Sequence, residues 1–229
     1  KDEQSGSASY VPADPTKAGY VFTGWNTAAN GSGTTVTATT ALTGSSTDGT
    51  AFPTTLYAQW LDPAVNLNDL KTVLASCTGS LPTPYTVALS ANLTGTSTQL
   101  TVNCDATIDL NGHDLTVRNV VIDTGKTLEV TDTTVTPGTL TANASAVGGT
   151  AGIRNTGATL TTSGTAKVVA KGGLLAAGIG GGGGITAGSG GTTTSNGTSS
   201  ITATGGDLAA GIGGGGGPTS GAGGTTTSN

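Results

Sequence analysis

Charge is scarce in this sequence. Asp, Glu, Lys and Arg make up 9% of the 229 residues, whereas a disordered chain is usually rich in charge. Aromatic residues are scarcer still, at 3%. A globular core of large side chains is therefore hard to build, and a thin, elongated core of Val, Leu, Ile and Ala is expected instead. The formal net charge is −5, and Lys and Arg form no cluster, which argues against a nucleic-acid partner. No apolar run is long enough to span a membrane, so no membrane insertion is expected.

Two cysteines and one histidine are too few, at these spacings, for a metal site built from Cys77, Cys104 and His113. No metal, cofactor or catalytic residue is expected. Cys77 and Cys104 can form one disulfide in an oxidising compartment, the alternative being two buried thiols, and the extracellular cast of the composition favours the bridge. The chain opens on neither a signal peptide nor an initiator Met, so it reads as a piece of something larger.

Glycine, by contrast, is abundant, with 40 residues. The ten residues LAAGIGGGGG stand at 175–184 and return at 208–217, 33 positions later, and GGTTTSN recurs at the same distance, at 190–196 and 223–229. A fixed period in this range marks stacked repeats, in which each unit buries its apolar face against its neighbours. Asn229 ends in phase with Asn196, so the array is expected to continue. Long glycine runs invite a phosphate-loop reading, but no Lys-Ser or Lys-Thr follows them and they sit inside a β repeat rather than before a helix.

Ala-Gly-Ile occurs at 151–153, 177–179 and 210–212, with spacings of 26 and 33. The matching stretches between them read as strand, turn, strand. Each coil is thus expected to hold three short strands. The extra seven residues enlarge one corner, where Arg154-Asn155-Thr156 gives way to a glycine loop from about 178. Ile is expected inside, stacked on the Ile of the next coil. The ordered glycines need hydrogen bonds to neighbouring loops, because glycine loses much freedom on folding.

Further upstream, strands are expected at 85–89, 100–102, 107–110, 115–117, 120–122 and 127–130. Turns between them carry Asn111-Gly112, Thr124-Gly125 and Pro137-Gly138. Apolar residues at 67, 70, 73, 74 and 77 form a helical stripe, so a helix is expected at about 66–77, with Asn66 as N-cap and Asp69 in its first turn. A lone amphipathic helix ahead of a strand array has one obvious use, covering the open end of the core. The segment from Ile108 to Val117, followed by Gly125 to Val130, resembles the opening coils of right-handed parallel β-helices in bacterial surface proteins.

Residues 1–61 differ from the rest and hold both Trp. Pro12, Pro15-Thr16, Gly19-Tyr20, Phe22 and Gly24-Trp25, closing on Leu56-Tyr57-Ala58 and Trp60, closely resemble the Listeria–Bacteroides repeat of the InlB B-repeat type. The resemblance implies a small β-grasp-like module of secreted and wall-attached bacterial proteins, a spacer or a binding unit. The first strand of that family is missing before Ser5. The aromatics then serve as a mini-core for a small module.

The expected architecture is all-β: a repeat module at 1–61, then at 62–229 a right-handed parallel β-helix capped by a helix. The expected function is non-enzymatic, as the stalk or adhesive segment of a secreted or wall-attached bacterial adhesin. Its partner is an unknown surface ligand, a glycan or a protein of a host or another cell, with self-association into a fibre as a further option. Asp105, Asp109, Asp114, Asp123, Glu129 and Asp132 alternate with apolar residues as an outward, solvated face would, and no pair among them stands out as a hydrolase dyad. His113, beside the Asn111-Gly112 turn, reads as a turn residue. A carbohydrate-binding or polysaccharide-processing face is the alternative. The Thr-rich strands at 192–194 and 225–227 raise ice binding as another.

Overall fold

The computed structural model describes residues 12–15, 17, 20–37, 55–62, 64–76 and 85–229. The chain divides into two compact units, Lys1–Leu61 and Asp62–Asn229.

In the first unit, β1 (Val21–Asn26) lies between β2 (Thr35–Val36) and β3 (Tyr57–Leu61), both antiparallel to it. The strand expected after Leu56 is β3, and it sets Trp60 opposite Phe22 and Ala58 opposite Trp25. The Phe22 ring meets Trp25 and Trp60 edge-on, at centroid separations of 5.4 and 5.7 Å. Trp25 donates its indole N–H to the Pro12 carbonyl at 3.2 Å. Phe22, Trp25 and Trp60 form a small aromatic cluster with Phe22 in contact with both tryptophans. The position before Ser5 lies outside the described residues.

The second unit begins with α1 (Leu67–Ser76), the one helix among the described residues. Asn66 caps it, its Oδ1 accepting the N–H of Asn68 at 2.9 Å and of Asp69 at 3.4 Å. Leu70, Val73 and Leu74 are its buried stripe. The strands then follow in order: β4 (Tyr85–Ala88), β5 (Leu93–Val102), β6 (Ala106–Asp109), β7 (Leu115–Ile122), β8 (Thr127–Asp132) and β9 (Thr139–Asn143). After them come β10 (Ile153–Arg154), β11 (Thr159–Gly164), β12 (Lys167–Lys171) and β13 (Ile179–Gly180). The last are β14 (Thr192–Ser195), β15 (Ser200–Thr204), β16 (Ile212–Gly213) and β17 (Thr225–Ser228). The backbone N–H of Asn103, just past β5, donates to Leu74 at 2.9 Å and so ties the helix to the strands.

Every strand pair in this unit is parallel. One sheet runs β4-β6-β8-β11-β14-β17, and a second runs β15-β12-β9-β7-β10-β13-β16 with β5 beside β7. Partners in the first sheet are 21 or 22 residues apart early on (Tyr85 with Ala106, Ala106 with Leu128), then 32 and 33 (Leu128 with Leu160, Leu160 with Thr193). The step comes where β10 adds a third strand to the coil. Inward rows follow the register: Leu100, Val120, Ile153, Ile179 and Ile212 stack in one line, and Leu93, Leu115, Leu140, Val168 and Ile201 in another. The isoleucines of Ala-Gly-Ile do stack on one another.

Two expected strands prove to be one. The segments at 115–117 and 120–122 are halves of β7, the first paired with β9 and the second with β10. The intervening Arg118-Asn119 continues the strand. Asn119 is buried, its Nδ2 donating to Gln99 Oε1 at 3.2 Å, which lets the strand shift its inward phase without breaking. Likewise β5 begins at Leu93 rather than 100, with a register shift between Gly95 and Gln99.

The glycine runs are ordered by one another. Gly181 N–H donates to Gly213 at 2.9 Å, Gly184 to Gly216 at 3.3 Å and Gly190 to Ala222 at 2.9 Å. The approach is so close that a Cβ on Gly180 would land on the Gly213 carbonyl oxygen. Gly180 also has φ +134°, whereas Gly125, at φ +76°, has open space around it. Gly125→Ala should therefore cost only the backbone strain, about 1 kcal/mol, whereas Gly180→Ala adds a collision with backbone and should cost about 3 kcal/mol or more. Denaturant midpoints of the two variants check this, and equal losses would contradict the stacked glycine layer.

Candidate functional site

Of the six acids expected on an outward, solvated face, Asp105, Asp109, Asp114 and Glu129 bond backbone or a hydroxyl, Asp132 lies inside, and Asp123 does neither. Asp105 Oδ1 accepts the Thr127 N–H at 2.8 Å, and Asp114 Oδ1 accepts the Thr139 N–H at 2.9 Å, so each carboxylate ties one coil to the next. Asp109 Oδ1 accepts the Asn111 N–H at 2.9 Å inside its own turn. Glu129 takes the Ser163 hydroxyl at 2.7 Å. These groups hold backbone and neighbouring hydroxyls.

Asp132 departs furthest from the expectation of a solvated face. It follows Leu128 and Val130 on the inward side of β8 and is fully buried. The carboxylate sits at the strand end, where two turns converge. Oδ1 accepts the Thr134 N–H at 2.7 Å and its hydroxyl at 2.6 Å, and Oδ2 accepts the N–H of Gly112 at 3.0 Å and of Gly138 at 2.8 Å. Burial works against its ionisation. The four hydrogen bonds, led by the Thr134 hydroxyl, outweigh burial and hold the carboxyl below its usual range. Asp132 is thus the knot joining the Asn111-Gly112 and Pro137-Gly138 turns.

His113 closes the first of these turns, its backbone N–H donating to Leu110 at 2.8 Å. Cys104 is disulfide-bonded; Cys77 lies outside the described residues. Among the described residues no group of three His, Cys, Asp or Glu gathers as metal ligands would. The Thr-rich strands divide by face. Thr193 points inward and is buried, while the register lines up Thr127, Thr159, Thr192 and Thr225 in one outward rank and Thr161, Thr194 and Thr227 in another.

One concave site stands out, a groove of about 640 Å³ at the corner where the coil lengthens. Gln99, Asn119, Asp123, Thr150, Arg154 and Thr186 line it, with Gly182 and Gly183 of the first glycine loop. Arg154 ends β10, paired with Val121 on one side and Gly180 on the other. Its own coil turns at once, whereas the next runs out through the glycines. Gly183 N–H fastens that loop back to the Gly149 carbonyl at 3.1 Å. The groove thus arises from the mismatch between a 26-residue and a 33-residue step.

Residues 3–59 match the family model of the Listeria-Bacteroides repeat domain. This repeat domain is typical of bacterial surface proteins. It covers the module read from Pro12 to Trp60, apart from its last residue, and none of the parallel sheets. No curated protein and no solved structure matches the chain.

In the sequence Arg154 marks only the corner that glycine later replaces. The signal was there: the residue after Ala-Gly-Ile is Arg in one copy and Gly in the other two. Asp132 carried no comparable mark, because its inward phase depends on the register.

Because the folded state holds the Asp132 carboxyl below its unfolded value, its contribution is fully present above the unfolded value near 3.9. It is lost as pH falls through the folded one. Asp132→Asn should lower stability at pH 7 by about 2–3 kcal/mol, the scale of hydrogen bonds to a charged group. The variant should also lose less than the parent between pH 5 and pH 2. Denaturation curves across that range check both, and parallel pH profiles would contradict the assignment.

Proposed function

We propose that the protein is a non-enzymatic segment of a bacterial surface protein, the stalk or adhesive part of an adhesin, secreted or attached to the cell wall. The observation that carries this reading is the unbroken parallel ladder from β4 to β17. We read residues 62–229 as a parallel β-helix. It is taken as right-handed because crossovers between parallel strands of one sheet almost always are. Helix α1 covers one end of its core, directing Leu70, Val73 and Leu74 inward. Each added coil extends such a rod by about 4.8 Å while burying another aliphatic layer, which suits a spacer.

The carboxylates support a structural role, since Asp105, Asp114 and Asp132 spend their oxygens on backbone N–H groups. The Listeria-Bacteroides repeat supports the extracellular setting. So does the disulfide at Cys104, which we read as a bridge to Cys77, the other cysteine of the sequence. The partner is a surface ligand, a glycan or a protein of another cell.

Displayed on a non-adherent bacterium, the chain should confer adhesion to glycan- or cell-coated surfaces. The purified chain should release no reducing ends from pectin or other uronate polymers. Reproducible release would overturn the non-enzymatic reading. A second reading rests on the two outward threonine ranks, whose spacing along and across strands is regular. Thermal hysteresis at micromolar protein would support ice binding, and none would remove it.

A further inference from the structure

We infer that the groove beside Arg154 binds an acidic saccharide, a sugar chain carrying carboxylates. The inference rests on the adhesive reading above and assigns its ligand-contacting residues.

The polar side chains of the groove fall into two sets by their hydrogen-bond partners. The first set is spent. Asn119 Nδ2 donates to Gln99 Oε1 at 3.2 Å, Asn119 Oδ1 accepts Arg118 Nε at 3.0 Å, and Gln99 Nε2 donates to Thr101 at 3.3 Å. These groups hold the strands beneath in place. The second set is free. Among the described residues, the Arg154 guanidinium, the Asp123 carboxylate and the hydroxyls of Thr150 and Thr186 make no side-chain hydrogen bond or ion pair, although all four line the same groove.

A cation and an anion that share a groove without neutralising each other leave both able to serve a ligand. The guanidinium offers a planar fork of donors that matches a carboxylate in two parallel hydrogen bonds. Asp123 has only acceptors, which suit the hydroxyl pair of a sugar ring. Thr150 and Thr186 add donors and acceptors on either side. The half-buried backbone of Gly182 and Gly183 carries no side chain, so a chain of linked rings can approach it closely. The volume is within the usual range for ligand sites, while the lining of hydroxyls, amides, charges and backbone selects a hydrophilic occupant.

The position is also singular within the array. The residues stacked after Arg154 are Gly180 and Gly213, so the charged corner occurs once and faces the first long glycine loop. A purely structural repeat has no need of an exposed arginine there, since the strand pairing uses its backbone alone.

Titration calorimetry on the full chain tests the inference, with oligogalacturonate and oligoglucuronate as probes. Neutral oligosaccharides of the same linkage and a Glu-containing tripeptide serve as comparison arms. The expected result is binding of the acidic oligosaccharides, weakened at least tenfold by Arg154→Ala and less by Arg154→Lys, with the neutral sugars and the tripeptide bound at least tenfold more weakly. Equal binding by the parent and Arg154→Ala overturns the inference. So do preference for the tripeptide, equal binding of the neutral sugars, and no binding at all. Arg154 is exposed, so the variant should keep the parent's denaturation midpoint. The non-enzymatic reading fails on a different result, the release of reducing ends, so the two can be told apart.

Discussion

The rest of the second unit depends on one constraint: backbone must stack directly on backbone from coil to coil, at the spacing of adjacent strands. In aliphatic rows the constraint is met by identical or similar side chains in register, such as Ile153, Ile179 and Ile212. In the corner loops it is met by having no side chain. A Cβ on Gly217 would fall on the Gly184 carbonyl oxygen, and one on Gly206 on that of Gly173. Glycine is needed there less for its flexibility than for its smallness. The loops then behave as extra sheet, with N–H groups reaching into the next coil as strand amides do.

The interior changes character along the stack. One inward row reads Val87, Ile108, Val130, Thr162, Ser195 and Ser228. Replacing a buried valine by serine or threonine forgoes about 1–2 kcal/mol of apolar burial per coil. The hydroxyls recover part of this by bonding one another: Thr162 Oγ1 lies 3.2 Å from Ser195 Oγ and 2.8 Å from Ser199 Oγ. Asn155 does the same at the next corner, donating to the Thr192 carbonyl and to the Thr193 hydroxyl. Along this row, early coils therefore depend on hydrophobic contact and later ones on satisfied polar ladders, in which each unmade bond would leave a buried group uncompensated.

This gradient explains what was legible in the amino-acid letters. The period of 33, the stacking of Ala-Gly-Ile, the N-cap at Asn66 and the pairing of β1 with β3 all rest on local pattern or exact recurrence, and both are visible in one chain. What depended on register was not. Asn119 shows no sign of burial in the sequence, because its partner Gln99 lies 20 positions upstream. Asp132 reads as the last acid of an outward face until the parity of β8 puts it inside, under two turns formed by residues 20 positions upstream and a few downstream. The groove was hidden for the same reason. It lies between coils of unequal length, so no single stretch of sequence contains it.

The conflict between local preference and stacking is sharpest two residues before each Ala-Gly-Ile. Gly149 has φ +73° there, as glycine readily does, yet Leu175 and Leu208 occupy the equivalent places at +65° and +62°. A left-handed leucine costs about 1–2 kcal/mol, and no sequence rule would put one at a turn. The Gly149 carbonyl accepts the Gly183 N–H at 3.1 Å, and one coil later the Leu175 carbonyl accepts the Gly216 N–H at 2.7 Å. At both places the left-handed residue presents its carbonyl to the glycine loop of the following coil. The strain at Leu175 thus accompanies a bond within the glycine layer, in which each loop is held by the coil beneath it, and Leu208 repeats the same turn one coil later.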